Sequence, residues 1–158
     1  MAYTSPEVAR AHVEYLGRRY CLGSAPLVMW EHFAGGGAYM DAWRHCRPWD
    51  TVVGGDRPES VDWIVGNITG QSAVPRLRDM LRHAGVGVSL LIDGGSLPAL
   101  VPGPLWEVAP PDELCGLNPA VGGARVEIAT WFRRAGEWRG RMRLARYNWR
   151  TGQMWGRG

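Results

Sequence analysis

The sequence predicts an α/β protein with a mostly parallel sheet and a C-terminal antiparallel hairpin. Three observations predict it. Short apolar runs alternate with segments of helical period as far as residue 92. A glycine-rich turn, Gly35-Gly36-Gly37, comes soon after the first of those runs. From residue 125 the pattern changes to strict alternation on two arms around Ala135-Gly136-Glu137. The 158 residues fit one domain, 1–158, and their 46% apolar content excludes a disordered chain.

Each element has a local reason. Residues 5–20 read as a helix, with Ser5 as N-cap and Pro6 at the first helical position. Val8, Ala11, Tyr15, Leu16 and Tyr20 form its apolar stripe, and Gly23 can end it. Pro26-Leu27-Val28-Met29-Trp30 is a continuous apolar run, the mark of a strand buried on both faces. A helix is expected over 38–46, then strands at 51–55 and 61–65. Ser72 opens a helix through His83, with Val74, Leu77, Met80 and Leu81 on one face. A fourth strand runs from Val86 to Ile92. Residues 93–124 hold six of the 11 prolines and read as one long loop. The closing hairpin is expected over 125–150, with Val126, Ile128, Thr130 and Phe132 alternating on one arm. Right-handed crossovers should put helices on both faces of the sheet.

Charge divides the chain unequally. The net +3 hides nine Arg against thirteen acids in residues 1–120 and nine Arg against two acids in 121–158. There is no lysine. The basic tail interleaves arginine with Trp131, Trp138, Tyr147 and Trp149, a mixture suited to a nucleic-acid backbone through charge neutralisation and stacking. Arg139, Arg141 and Arg143 are the candidate contacts. The same composition also suits a solvated sheet edge or a subunit interface. Three cysteines without metal-like spacing, and no apolar run of the roughly 18–20 residues that span a bilayer, point to a reduced, cytoplasmic protein. No membrane partner and no metal are expected. His12, His45 and His83 lie in helices and read as surface or packing residues, and Cys115 as an incidental thiol.

In an open parallel sheet, ligands sit at the carboxyl ends of the strands, where strand order switches. Gly35–Gly37 falls there, and Asp56 follows Gly35 by 21 residues at the end of the next strand. An acid so placed can accept hydrogen bonds from ribose hydroxyls. A plain turn and a solvated or capping acid explain the same residues. Met40 stands where a dinucleotide fingerprint needs its third glycine, which argues against NAD. The third strand ends at Asn67, either an amino-group acceptor or a turn residue.

With Asp62-Trp63-Ile64-Val65-Gly66-Asn67, the chain resembles the S-adenosylmethionine-dependent methyltransferases, specifically the DNA N6-adenine type of bacteria and phages. Tyr3-Thr4-Ser5-Pro6 is similar to the N-terminal Tyr-Thr-Pro motif that touches the methionine part of the cofactor, with one extra Ser. Trp30-Glu31-His32-Phe33-Ala34-Gly35-Gly36-Gly37 resembles the first cofactor motif, with His32 in place of the usual Pro. Ala129-Thr130-Trp131-Phe132 resembles the family's late strand. The resemblance implies a reduced Rossmann-like methyltransferase fold. It implies S-adenosylmethionine held by Tyr3, Thr4, Glu31, Phe33, Ala34, Gly35, Gly37 and Asp56, with Asn67 as the catalytic acceptor. It further implies DNA as substrate and, if phage-encoded, a bacterial host cytoplasm.

The departures are as informative. The family's catalytic tetrapeptide is Asn/Asp/Ser-Pro-Pro-Tyr/Phe, and here it reads Asn67-Ile68-Thr69-Gly70. The acceptor is kept, while both prolines and the base-stacking aromatic are lost. Trp63 or Trp106 could substitute for that aromatic. Only five residues separate Asp56 from Asp62, too few for the usual strand and helix between them. Two other readings follow: a catalytically inactive methyltransferase-fold subunit, in a homo- or hetero-oligomer, or an Arg/Trp-rich nucleic-acid-binding or assembly protein.

Overall fold

The serine that opens the first helix does what its position requires. In the computed structural model, which describes residues 4–31, 37–68, 73–93, 108–118, 126–134, 136–138 and 140–157, Ser5 Oγ accepts the Val8 N–H at 3.2 Å. Helix α1 then runs Pro6–Tyr20 and buries Val8, Ala11, Tyr15, Leu16 and Tyr20. Strand β1 (Val28–Glu31) leads to α2 (Ala38–Cys46), β2 (Thr51–Gly54), β3 (Val61–Ile68), α3 (Ala73–His83) and β4 (Ala84–Asp93). These match the expected order, and β3 carries through Asn67.

The strands form one sheet of order β2-β1-β3-β4-β6-β5-β8-β9, where β5 is Glu113–Asn118, β6 Val126–Arg134, β8 Arg143–Asn148 and β9 Met154–Arg157. From β2 to β4 it is parallel; β6 joins antiparallel to β4. Side-chain alternation divides the core into two layers. Trp63, Val65, Leu91 and Ile128 pack under α1 and α2. Ile64, Leu90, Ile92 and Trp131 pack under α3. Helices thus cover both faces, as right-handed crossovers demand. Trp63 fits because β4 passes it with Gly87: a Cβ there would lie 2.5 Å from the indole ring.

Two expectations fail in the last third. The long loop 93–124 is not all loop: it contains β5. The hairpin over 125–150 does not close on itself. β6 turns back only into the two-residue β7 (Glu137–Trp138), and β5 lies between β6 and β8, antiparallel to one and parallel to the other. The second hairpin in the tail is β8 with β9, which the sequence reading missed. The cause is a buried charge cluster. Glu113, at the start of β5, accepts hydrogen bonds from the Tyr15 hydroxyl and from Arg19 Nε at 2.7 Å. Asp112 accepts from Tyr20 Oη at 3.1 Å and pairs with Arg143 Nη2 at 2.6 Å. Both carboxylates are buried, so only α1 and β8 together make this position tenable for β5. Among the described residues no helix is long and apolar enough to cross a membrane.

Candidate functional site

The order β2-β1-β3 puts the switch in strand order at β1: the chain leaves β1 toward β2 on one side and returns to β3 on the other. The carboxyl ends of these strands therefore flank a crevice of the kind that takes ligands. Gly37, the N-cap of α2, has φ +78°, and a Cβ there would meet nothing closer than Met40 Cε at 3.7 Å. The backbone conformation, not crowding, calls for glycine. Glu31 ends β1, is only 3% exposed, and accepts the Met40 N–H at 3.2 Å. It satisfies an orphan donor in the first turn of α2, where the helix dipole favours a carboxylate. Burial pushes its carboxyl up, against the lowering effect of the Met40 N–H. Glu31 thus anchors the first turn of α2, next to Gly37.

Asp56 follows β2 and is exposed. Its backbone neighbour is pinned: Trp30 Nε1 donates to Gly55 O at 3.0 Å, tying the end of β2 to β1. Asn67, near the end of β3, donates Nδ2 to Thr4 Oγ1 at 3.2 Å. Its Oδ1 is shielded from water and has no hydrogen-bond partner among the described residues. An unmade hydrogen bond on a buried acceptor costs about 1–3 kcal/mol, so its persistence calls for an explanation.

Behind Thr4 stands a polar chain that the sequence reading missed. Thr4 lies beside the Tyr39 hydroxyl and opposes the rise that burial gives its pKa. Tyr39 Oη meets His12 Nδ1 at 2.8 Å, His12 Nε2 meets Ser89 Oγ at 2.7 Å, and Ser89 Oγ meets Thr130 Oγ1 at 2.8 Å. His12, Ser89 and Thr130 are fully buried, and Tyr39 nearly so. The chain joins α1, α2, β4 and β6 to the residue that holds Asn67. The available signal was the place of His12 in the middle of the α1 stripe, four residues from Val8 and from Leu16.

Burial lowers the His12 pKa from 6.5 to about 3, so the ring is neutral in the folded protein. The unfolded chain takes up this proton near pH 6.5 and the folded protein only near pH 3. Stability is therefore lost as pH falls through that window. His12→Gln is expected to remove that part of the slope. Urea midpoints at pH 7.5 and 5.0 check it, and equal pH slopes in both proteins count against it.

Thr4, Glu31, Gly37, Asp56 and Asn67 all lie at the carboxyl edge of β1–β3. Tyr3, Phe33, Ala34, Gly35 and Arg139 lie outside the described residues. Arg141 is exposed. Arg143 is committed inside the protein, to Asp112 at 2.6 Å and to Glu113 at 3.6 Å. Cys115 is buried in β5, and burial pushes its thiol up, away from reactivity. Among the described residues no cluster of His, Cys, Asp or Glu is placed to hold a metal ion.

A parallel β2-β1-β3-β4 half, with Gly37 beyond its switch point and the antiparallel β6 beside β4, makes a Rossmann-like α/β fold. No protein-family model and no curated protein matches the chain. Solved structures do. The methyltransferase subunit of a type I restriction-modification system from Streptococcus thermophilus is similar at TM-score 0.59 and 11% identity, over 92% of this chain and 47% of that one. Two others lie further away. One is a release-factor-specific protein-(glutamine-N5) methyltransferase from Alicyclobacillus acidocaldarius, at TM-score 0.46 and 15% identity over 80% of this chain and 93% of that one. The other is a protein described as a predicted O-methyltransferase from Agrobacterium tumefaciens, at TM-score 0.49 and 12% identity over 90% and 85%. At these identities the likeness is one of fold. The chain spans about half the length of the restriction-modification subunit it matches.

Proposed function

We propose that this chain is an S-adenosylmethionine-dependent methyltransferase acting on the exocyclic amino group of adenine in DNA. The observation that carries the reading is Asn67, whose shielded Oδ1 has no hydrogen-bond partner among the described residues while its Nδ2 donates to Thr4 at the carboxyl edge of β3. An acceptor kept unpaired beside a ligand crevice suits a substrate N–H. The crevice suits the cofactor through the positive-φ Gly37 and the exposed Asp56, whose carboxylate is free to meet ribose hydroxyls. Tyr3, Thr4, Phe33, Ala34 and Gly35 complete the proposed cofactor contacts, while Glu31 holds the turn through Met40.

When bound, S-adenosylmethionine supplies a methyl group that is already electrophilic, so the chemistry asks of the protein mainly position. Asn67 Oδ1 accepts one hydrogen of the adenine amino group and so directs the nitrogen lone pair. Thr4 Oγ1 accepts from the other end of the amide, Nδ2, at 3.2 Å. Arg139 and Arg141 in the tail serve the DNA backbone, and Arg143 stays with Asp112. Two measurements test this together. Cofactor binding should raise the melting temperature, since a ligand that binds only the folded state stabilises it. Labelled methyl groups should then appear in unmethylated DNA. No thermal response to millimolar S-adenosylmethionine would sink the reading at its first step.

A further inference from the structure

At the opposite edge of the sheet, where α3 ends and β4 begins, lies a cavity of about 570 Å3. Three arginines line it: Arg78, Arg82 and Arg133. Its apolar part is Leu81, Val108 and Ala109, which belong to or pack against the core layer beneath α3, and Trp138 forms a further wall. No carboxylate lines it among the described residues.

The arginines arrive by different routes. Arg78 and Arg82 are four apart on α3 and so share one helix face. Arg133 comes from β6, donates Nη2 to Leu81 O at 3.2 Å and lies 4.4 Å over the Trp138 ring. Its Nε is shielded from water and has no hydrogen-bond partner among the described residues. The carbonyl end of α3 accounts for Arg82, in its last turn, and for Arg133. It does not account for Arg78, a turn earlier. Like charges one turn apart repel, and a third guanidinium beside them adds to the cost. An anion between them removes it.

We propose that this cavity binds the phosphate of a nucleotide unit, with the three guanidiniums on the phosphate and Trp138 with its apolar neighbours against the base or sugar. Planar, delocalised guanidiniums suit phosphate oxygens, and an indole beside them suits a base. The site is separate from the proposed methyl-transfer crevice. Phe132 pairs Gly87 and Asn67 pairs Leu91, so Arg133 and Asn67 stand about five strand positions apart, roughly 17 Å along the sheet.

The test uses the whole chain, fluorescence anisotropy and a fluorescein-labelled single-stranded oligonucleotide, with adenosine monophosphate as competitor. Arg78→Gln/Arg82→Gln replaces two exposed side chains, so the fold should be kept, and melting temperature verifies it. Arg10→Gln, exposed on α1, is the charge control. The expected result is binding that weakens with salt, at least tenfold weaker in the double variant with a flatter salt dependence, and unchanged in Arg10→Gln. Displacement by the mononucleotide identifies a free nucleotide as the occupant; without displacement, the occupant is a nucleic-acid strand. Equal binding by the double variant and the parent, or no binding of either ligand at low salt, overturns the proposal and leaves the arginines as partners of the helix end only.

Discussion

Asn67→Ala is expected to lower methyl transfer to DNA by about 10²-fold or more while leaving the thermal response to S-adenosylmethionine intact. The size follows from what the side chain does: it holds the nitrogen in line, and misplacing a reacting group by about 1 Å costs on that order. The separation follows from position. Asn67 is near the end of β3, whereas Gly37 caps α2 after β1 and Asp56 follows β2. The variant should not unfold, because it deletes a half-buried side chain that makes one described hydrogen bond, to Thr4. Methyl incorporation and thermal shift on the same preparation check both halves. Full turnover by Asn67→Ala would remove Asn67 from the chemistry. Loss of cofactor response together with turnover would make it a cofactor-site or structural residue instead.

The largest expected effect on stability lies at the other end of the molecule. Glu113→Ala is expected to cost about 3–5 kcal/mol, the range for deleting one partner of a buried ion pair. Glu113 has no exposed side-chain surface and holds Arg19 Nη2 at 2.6 Å, with Arg143 Nε at 3.6 Å. Those arginine side chains are 23% and 13% exposed, so water cannot fully replace the carboxylate. The hydroxyl of Tyr15, on the buried face of α1, loses its acceptor as well. For a domain of this size each kcal/mol moves the melting temperature by about 2–4 °C, so a fall of roughly 10 °C is expected in a thermal melt. A fall of only a degree or two would mean that the cluster is better hydrated than its burial indicates. The same cluster explains the arithmetic of the basic tail: Arg143 answers to an internal acid, and its charge is not offered to a partner.

Much of the fold was legible in the sequence because its causes are local. Ser5 and Pro6 start α1 through a side-chain hydrogen bond and a fixed φ, whatever else the chain does. Continuous apolar runs at β1 and β3 need cover on both faces, and helices on both sides provide it. Glu31, Asp56 and Asn67 fall at or just past strand ends because the apolar runs stop there, and Gly37 caps the helix that follows β1. Thr4 joins them because α1 begins at that edge.

The rest required partners far away in the chain. β5 was hidden because Pro110, Pro111, Gly116 and Pro119 mark a loop, and because its inward positions begin with a carboxylate. A buried Glu breaks the alternating pattern until Tyr15 and Arg19, more than ninety residues earlier, are brought against it. The turn at Gly136 does reverse the chain, but β6 gives its free edge to β5, so β8 pairs elsewhere. His12 looked like an ordinary helix residue until Tyr39 and Ser89 supplied both ring nitrogens with partners. Sequence by itself determined where helices α1 to α3 and strands β1 to β4 lie, since hydrophobic period, caps and turns act over a few residues. Only the tertiary structure decided which strand takes each edge and which charge is buried, since a buried carboxylate or imidazole is tolerable only where distant groups complete its hydrogen bonds.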